Sequence, residues 1–254
     1  MLSLSNVGKS FVNEKGETQN VLNGVTFKLY EGETKVLLGR NGTGKSTLVN
    51  LITGITKADF GSLITWNVEH RIGICFQEIE ESFLPQKSGL ENLLLPISLS
   101  SRSVEDARMR IDQLYEHHGI QLDLSKKVRN LSGGQQQMLS ILRAILLESN
   151  VMVLDEPFSK IDLKNIWKWR KLVTDYITSS NCSTFMITHN PDEAVLMADS
   201  VLILGSQTPE LGSSILKELD CSEIKKNDPK RFDQVGFDSK RKEIVGLLEG
   251  ITNV

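Results

Sequence analysis

"KVLLGRNGTGKSTLVNLIT", Lys35 to Thr53, runs from an apolar strand candidate through a glycine-framed loop into a helix candidate. The loop matches G-x-x-x-x-G-K-[ST] at Gly39, Gly44, Lys45 and Ser46, and it has a strand before it and a helix after it, as that motif requires. Its glycines let the backbone curl until successive N–H groups point inward at a phosphate. The helix N-terminus adds a favourable partial charge. Gly39, Arg40, Asn41, Gly42, Thr43, Gly44, Lys45, Ser46 and Thr47 therefore read as a nucleotide-phosphate cradle. Lys45 is placed to neutralise the β- and γ-phosphates, and the Ser46 hydroxyl to ligate Mg²⁺.

Outward from this loop the chain alternates apolar runs and helical stretches. "LSLSNV", "GVTFKLY", "TKVLLG" and "RIGICF" are strand candidates within residues 1–80. "VMVLD" (151–155), "STFMIT" (183–188) and "SVLILG" (200–205) are apolar runs of the kind buried in parallel sheets. Between them, residues from about 81 to 148 are more helical. "SVEDARMRIDQLYEHHG" (103–119) is the clearest helix, with Ser103 as its cap, Gly119 at its end and a stripe of Val104, Ala107, Ile111, Leu114 and Tyr115. The pattern predicts an α/β fold: a P-loop NTPase core with a mostly parallel sheet, an N-terminal antiparallel β region and an inserted helical subdomain. Residues 1–205 form the expected domain, with the helical insertion at about 81–148, and 206–254 a small polar tail packed on it.

Two further stretches carry chemistry. Asp155 emerges at the C-terminal end of "VMVLD", where ligands sit in open α/β sheets, and is placed to hold Mg²⁺. Glu156, one residue on, is a second carboxylate and suits a general base for water. "LSGGQQQ" (131–137) opens another helix with two glycines, a second anion-suited N-terminus. One nucleotide has little use for two cradles from one compact domain. Two copies placed head to tail, however, can each complete the other's site.

With 254 residues, 39% hydrophobic and 24% charged, the chain has the composition of a soluble globular protein, and its net charge of −3 speaks against a nucleic-acid partner. No apolar run approaches the length of a membrane span, and the N-terminus lacks a secretory pattern, so a cytoplasmic location is expected. Cys75, Cys182 and Cys221 read as buried thiols. His117 and His118 read as charges complementing a helix C-terminus, and Trp169 as core with Trp167 exposed.

These motifs together resemble the nucleotide-binding subunit of ATP-binding-cassette transporters. The LSGGQ signature stands at Leu131 to Gln135, and the other motifs follow in the family's order from about residue 2 to 205. The resemblance implies that Gln77 in "GICFQE" is the glutamine loop, contributing to the Mg²⁺ and nucleotide site. It implies that His189 in "MITHN" is the switch histidine, catalytic beside Glu156, and that Phe11 stacks on the adenine. Across a dimer, Ser132, Gly133, Gly134, Gln135 and Asp162 (from "SKID") would reach the partner's ATP. "ITHNPDEAVLMADSVLIL" and the tail look most like importers of nitrate, sulfonate and taurine. ATP and Mg²⁺ are then the expected cofactors, and ATP hydrolysis coupled to transport the expected reaction. The expected partners are a second copy or a paralogous ATPase, a separate membrane permease and an extracytoplasmic solute-binding protein. The expected place is the inner face of the cell membrane. An export or lipid-trafficking system is the alternative, and a soluble cassette acting on nucleic acid a more remote one. Departures from the family are Arg40, where proline is frequent, Gln136 and Met138, where arginine is frequent, and Lys160, where a small residue is usual.

Overall fold

In the computed structural model, residues 2–13, 15–64, 71–79, 82–100, 102–206, 211–224 and 236–250 are described. They divide into two compact units, residues 1–69 with 183–254, and residues 70–182.

The first unit holds both of its sheets around the strand that precedes the glycine loop. Strand β1 (Leu2–Val12) pairs antiparallel with β2 (Thr18–Leu29) on one side and with β4 (Phe60–Ile64) on the other. In β3 (Thr34–Gly39) all six residues are buried. A strand covered on both faces needs neighbours on both edges and helices or sheet above and below. It has parallel partners on each edge, β7 (Ser183–Ile187) and β8 (Ser200–Gly205), and both of those are also wholly buried. Phe27 of β2 stacks on Phe185 of β7, ring centroids 5.4 Å apart, which clasps the antiparallel sheet to the parallel one. Helices α1 (Lys45–Ile52) and α6 (Pro191–Met197) follow β3 and β7 directly.

The polar tail contains regular structure as well. β9 (Ser214–Asp220) pairs antiparallel with β8, and α7 (Phe237–Gly250) packs on α6 and β8 through buried Phe237 and Ile244. An ion pair between Arg241 and Asp192 joins the two helices. Residues 231–235, the start of the tail stretch "RFDQVGFDSKRKEIVGLLEG" that looks like the importers, lie outside the described residues.

In the second unit, β5 (Ile72–Cys75) and β6 (Val151–Asp155) are parallel and carry four helices: α2 (Gly89–Ser98), α3 (Val104–His118), α4 (Gly133–Leu146) and α5 (Ile166–Ser180). Ser103 caps α3 by accepting from the Asp106 N–H, and Gly119 ends it with φ 59°. Ala107 and Ile111 of the expected stripe are buried, as is Trp169, whereas Trp167 is exposed and all three cysteines are buried, free thiols.

β3 also buries a charge. The Lys35 ammonium donates to Ser200 Oγ at 2.7 Å, contacts Glu33 at 2.8 Å and pairs with Glu218. Burial alone lowers its pKa, but the hydrogen bonds with Glu218 and Glu33 outweigh that and hold it above the ordinary lysine value. Lys35 thus pins β3, β8 and β9 together. Truncating it leaves two carboxylates around a void. Lys35→Ala is expected to destabilise the protein by about 2–4 kcal/mol, whereas Lys35→Met, which keeps the volume, recovers part of that. Thermal unfolding of the three proteins checks the order.

Candidate nucleotide site

The first unit carries the phosphate loop and the switch-histidine segment. β3 ends at Gly39, whose Cα lies so close to the Leu204 carbonyl that a Cβ would sit 2.8 Å from it. The chain then turns: the Thr43 hydroxyl and N–H both donate to the Arg40 carbonyl, at 2.8 and 3.3 Å. Gly44 precedes α1 with φ 88°, a left-handed conformation that only glycine adopts without strain, and a Cβ there would meet Val21 at 2.7 Å. Helix α1 has no side-chain cap and no acid in its own first turn, so its first N–H groups are not taken by a residue of the helix itself. Lys45 folds back over the loop, donating to the Gly39 and Arg40 carbonyls at 2.9 Å each. Arg40, Asn41, Gly42 and Ser46 are exposed, with Thr43, Lys45 and Thr47 half-buried.

His189 leaves the end of β7 and is exposed. The residues on either side of it are held. Thr188, fully buried, donates to Glu193 at 2.5 Å and accepts from the Asn190 N–H at 3.1 Å. Asn190 caps α6 by accepting from Asp192 N and Glu193 N, and Pro191 starts the helix. Such anchoring fixes where the imidazole is presented. Gly39, Arg40 and Asn41 share with His189 and Pro191 a cleft of about 510 Å³, whose far wall is Val245, Leu248 and Glu249 of α7. Sequence reading found no role for that helix, because its placement depends on α6. Phe11, on β1, is 46% exposed, which separates it from the core. The Lys9 ammonium lies 5.4 Å from its ring centroid, and its hydrogen bond holds the Asp59 carboxyl down to about 2.

The second unit carries the carboxylates and the LSGGQ segment. Asp155 ends β6 and Glu156 follows it, and both are buried. Glu156 has φ 50°, an uncommon conformation for a glutamate and one that costs about 1–3 kcal/mol and persists where the surroundings hold it. Gln137 of α4 supplies one such hold. Its side chain is fully buried, and its amide N–H donates to the Glu156 carbonyl at 3.0 Å and toward Cys75 Sγ at 3.7 Å. Its Oε1 has no partner among the described residues, so what the side chain contributes comes from its NH₂. The Ser159 hydroxyl donates to the same carbonyl at 3.0 Å. Sequence reading passed over Gln137. The available signal was an amide on the apolar stripe it shares with Ile141 and Ala144.

Ser132 and Gln135 form a reciprocal capping box on α4: the Gln135 N–H donates to Ser132 Oγ at 3.3 Å, and the Ser132 N–H to Gln135 Oε1 at 3.0 Å. A Cβ on Gly134 would stand 2.5 Å from the Lys160 carbonyl, so LSGGQ and SKID lie against each other. Asp162 accepts from Asn165 Nδ2 at 2.9 Å and from the backbone of Lys164 and Asn165, and the Asn165 side chain leads the effects lowering its pKa. Ser132, Gly133 and Asp162 are exposed. Gln77, just past β5, is exposed too. Of the residues expected at Mg²⁺, Ser46 belongs to the first unit, and Gln77 and Asp155 to the second.

The profile of a protein family described as ABC transporter matches residues 22–159. The nitrate transport protein NasD of Klebsiella oxytoca is 34% identical over 212 residues, covering 80% of this chain and 80% of that protein. The ribose import ATP-binding protein RbsA of Bacillus subtilis is 28% identical over 275 residues, covering 99% of this chain but 55% of that protein, so the chain spans about half its length. Among solved structures, a dimeric ATP-binding cassette in a post-hydrolysis state with ADP and Pi superposes with a TM-score of 0.75 at 24% identity, over 87% of this chain and 99% of that one, which shows a shared fold.

The brace on Glu156 is testable in this context. Gln137→Leu keeps the volume and removes the donor. It is expected to lower kcat for ATP hydrolysis on the order of tenfold (~1.4 kcal/mol) with KM for ATP within about twofold. Steady-state kinetics decide it, and an unchanged kcat contradicts the brace.

Proposed function

The chain belongs to the ABC transporter family, whose ATP-binding subunits are ATPases, and from that premise we propose that it powers uptake of a small solute through a separate membrane permease. The observation that carries this is the glycine-framed loop between β3 and α1, with Lys45 folded over it and no acid at the helix end. The importer direction rests on the likeness to the nitrate and ribose transport proteins. Among the described residues no helix is long and apolar enough to cross a membrane, which agrees with a pore on another polypeptide. In this reading the chain sits on the inner face of the membrane and works with an extracytoplasmic solute-binding protein, and its surface has no nucleic-acid role.

In this mechanism the loop N–H groups from Gly39 to Thr47 and the Lys45 ammonium bind the phosphates. The exposed ring of Phe11 offers the adenine a face. Ser46, Asp155 and Gln77 are oxygen donors of the hard type that suits Mg²⁺, and the buried Asp155 carboxylate is a fitting anchor. Mg²⁺ held by these residues would supply positive charge against that developing on the phosphates. Glu156 aligns the attacking water and takes its proton. His189 donates to the γ-phosphate and holds the water in line. Ser132, Gly133, Gly134, Gln135 and Asp162 act on the nucleotide of a second copy, placed head to tail. That arrangement gives a use to two phosphate-seeking segments in one chain.

Two experiments test it. Glu156→Gln is expected to slow hydrolysis by about 10²–10⁴-fold while leaving Mg-ATP affinity near wild type, and Asp155→Asn to weaken Mg²⁺-dependent binding instead. Hydrolysis by Glu156→Gln at the wild-type rate removes the base. In light scattering, Glu156→Gln protein with Mg-ATP is expected as a dimer, and with Mg-ADP as a monomer. A monomer under both conditions overturns the shared site.

A further inference from the structure

Away from these residues, in the second unit, α3 ends in two consecutive histidines and α5 faces them with an aspartate. One ligand atom each from His117, His118 and Asp175 lies within 4.8 Å of the other two. His118 Nδ1 is 3.9 Å from Asp175 Oδ2, and the two imidazoles meet edge to face at 4.6 Å between centroids. Bonds of about 2.0–2.2 Å in a tetrahedral site put neighbouring ligand atoms ~3.3–3.6 Å apart, so side-chain rotations that draw the atoms together by up to about 1.5 Å close the set. Two imidazoles and a carboxylate are a donor set for a borderline divalent cation, not for Mg²⁺ or Ca²⁺.

We propose that His117, His118 and Asp175 bind a zinc-type divalent cation that ties the C-terminal end of α3 to α5, with water in the fourth position. The helix-end role expected for both histidines needs them protonated. Metal ligation uses the neutral ring instead, which leaves a nitrogen lone pair for the cation. The cation would replace an ammonium already present: Lys171, one turn before Asp175, contacts its Oδ2 at 2.5 Å. The Lys171 side chain is 65% exposed and is free to swing into water. Lys168, the other cation on this face of α5, is occupied with the Gly119 carbonyl at 3.2 Å, which fixes the turn that ends α3. The His118 side chain is only 7% exposed, so the ring is set by packing before any ion arrives, whereas His117 lies at the surface and leaves an entry path. Cys75, Cys182 and Cys221 are buried and do not compete.

Untagged full-length protein, free of nucleotide, is titrated with Zn²⁺ by calorimetry and with Co²⁺ by visible absorption. One saturable Zn²⁺ per chain is expected, with a Co²⁺ spectrum of low coordination number. His117→Ala, at an exposed position, and the near-isosteric Asp175→Asn should each weaken binding at least about tenfold. Lys171→Ala should tighten it, because the competing ammonium is gone. Unchanged affinity in both ligand variants, or no saturable binding by the wild type, overturns the proposal. None of these residues belongs to the nucleotide site, so ATP hydrolysis by the variants in Mg²⁺ is expected at the wild-type rate whichever way the titration falls.

Discussion

Strand β3 exposes none of its six residues, and it empties directly into a loop that must stay open to solvent. Those two demands organise the first unit. Burial on both faces needs a strand on each edge, and β7 and β8 fill those positions, both parallel, with runs just as apolar. Because β3 and β7 are adjacent and run the same way, their C-terminal ends deliver Gly39 and Thr188 to the same edge of the sheet. That register brings His189 to the cleft it shares with the phosphate loop. Phe27 on Phe185 and the Lys35 cluster then lock the flanking sheet and the edge strand to this centre.

The second unit solves a different problem, holding an acid in a conformation it would not choose. The left-handed backbone of Glu156 is opposed by its own side chain, and Gln137 and Ser159 help to hold it by keeping its carbonyl occupied. Gln137 sits on the helix that Ser132 and Gln135 cap, three positions into α4 from the LSGGQ glycines. A helix whose first turn is proposed to meet a partner's nucleotide is therefore the same helix that steadies the proposed base. That geometry gives a physical route by which engagement of one site bears on the other, through a single rigid element. It also explains the fit of Gly134 under the Lys160 carbonyl, where any larger residue would displace the SKID turn and the Ser159 hydroxyl with it.

Much of this was legible before any coordinates. The glycine motif has an obligatory context, strand then loop then helix, and context of that kind survives translation into structure because it is local. Largely apolar runs at 151–155, 183–187 and 200–205 could hardly be anything but buried strands. Less legible was the tail. "SILKELD" is half-covered over its first three residues and largely exposed over the rest, with Leu219 buried, and that partial cover hides it in a sequence read for apolar runs. Helix α7 closes one wall of the cleft beside the phosphate loop only because Arg241, Phe237 and Ile244 find α6 and β8, which no local pattern specifies. His117 and His118 were visible as a pair, but Asp175, some sixty positions later, was not visible as their neighbour.

The sequence by itself determined the elements, the phosphate loop, the order of the motifs and the family they resemble, because each rests on residue types within a few positions of one another. Tertiary structure alone decided what those residues do to each other: Gln137 bracing Glu156, Gly134 beneath Lys160, α7 beside His189, and Asp175 facing two histidines. These are contacts between distant segments. Their existence depends on strand register and helix docking, where a shift of one residue turns a side chain to the opposite face of a strand, and no property of an isolated segment carries that information.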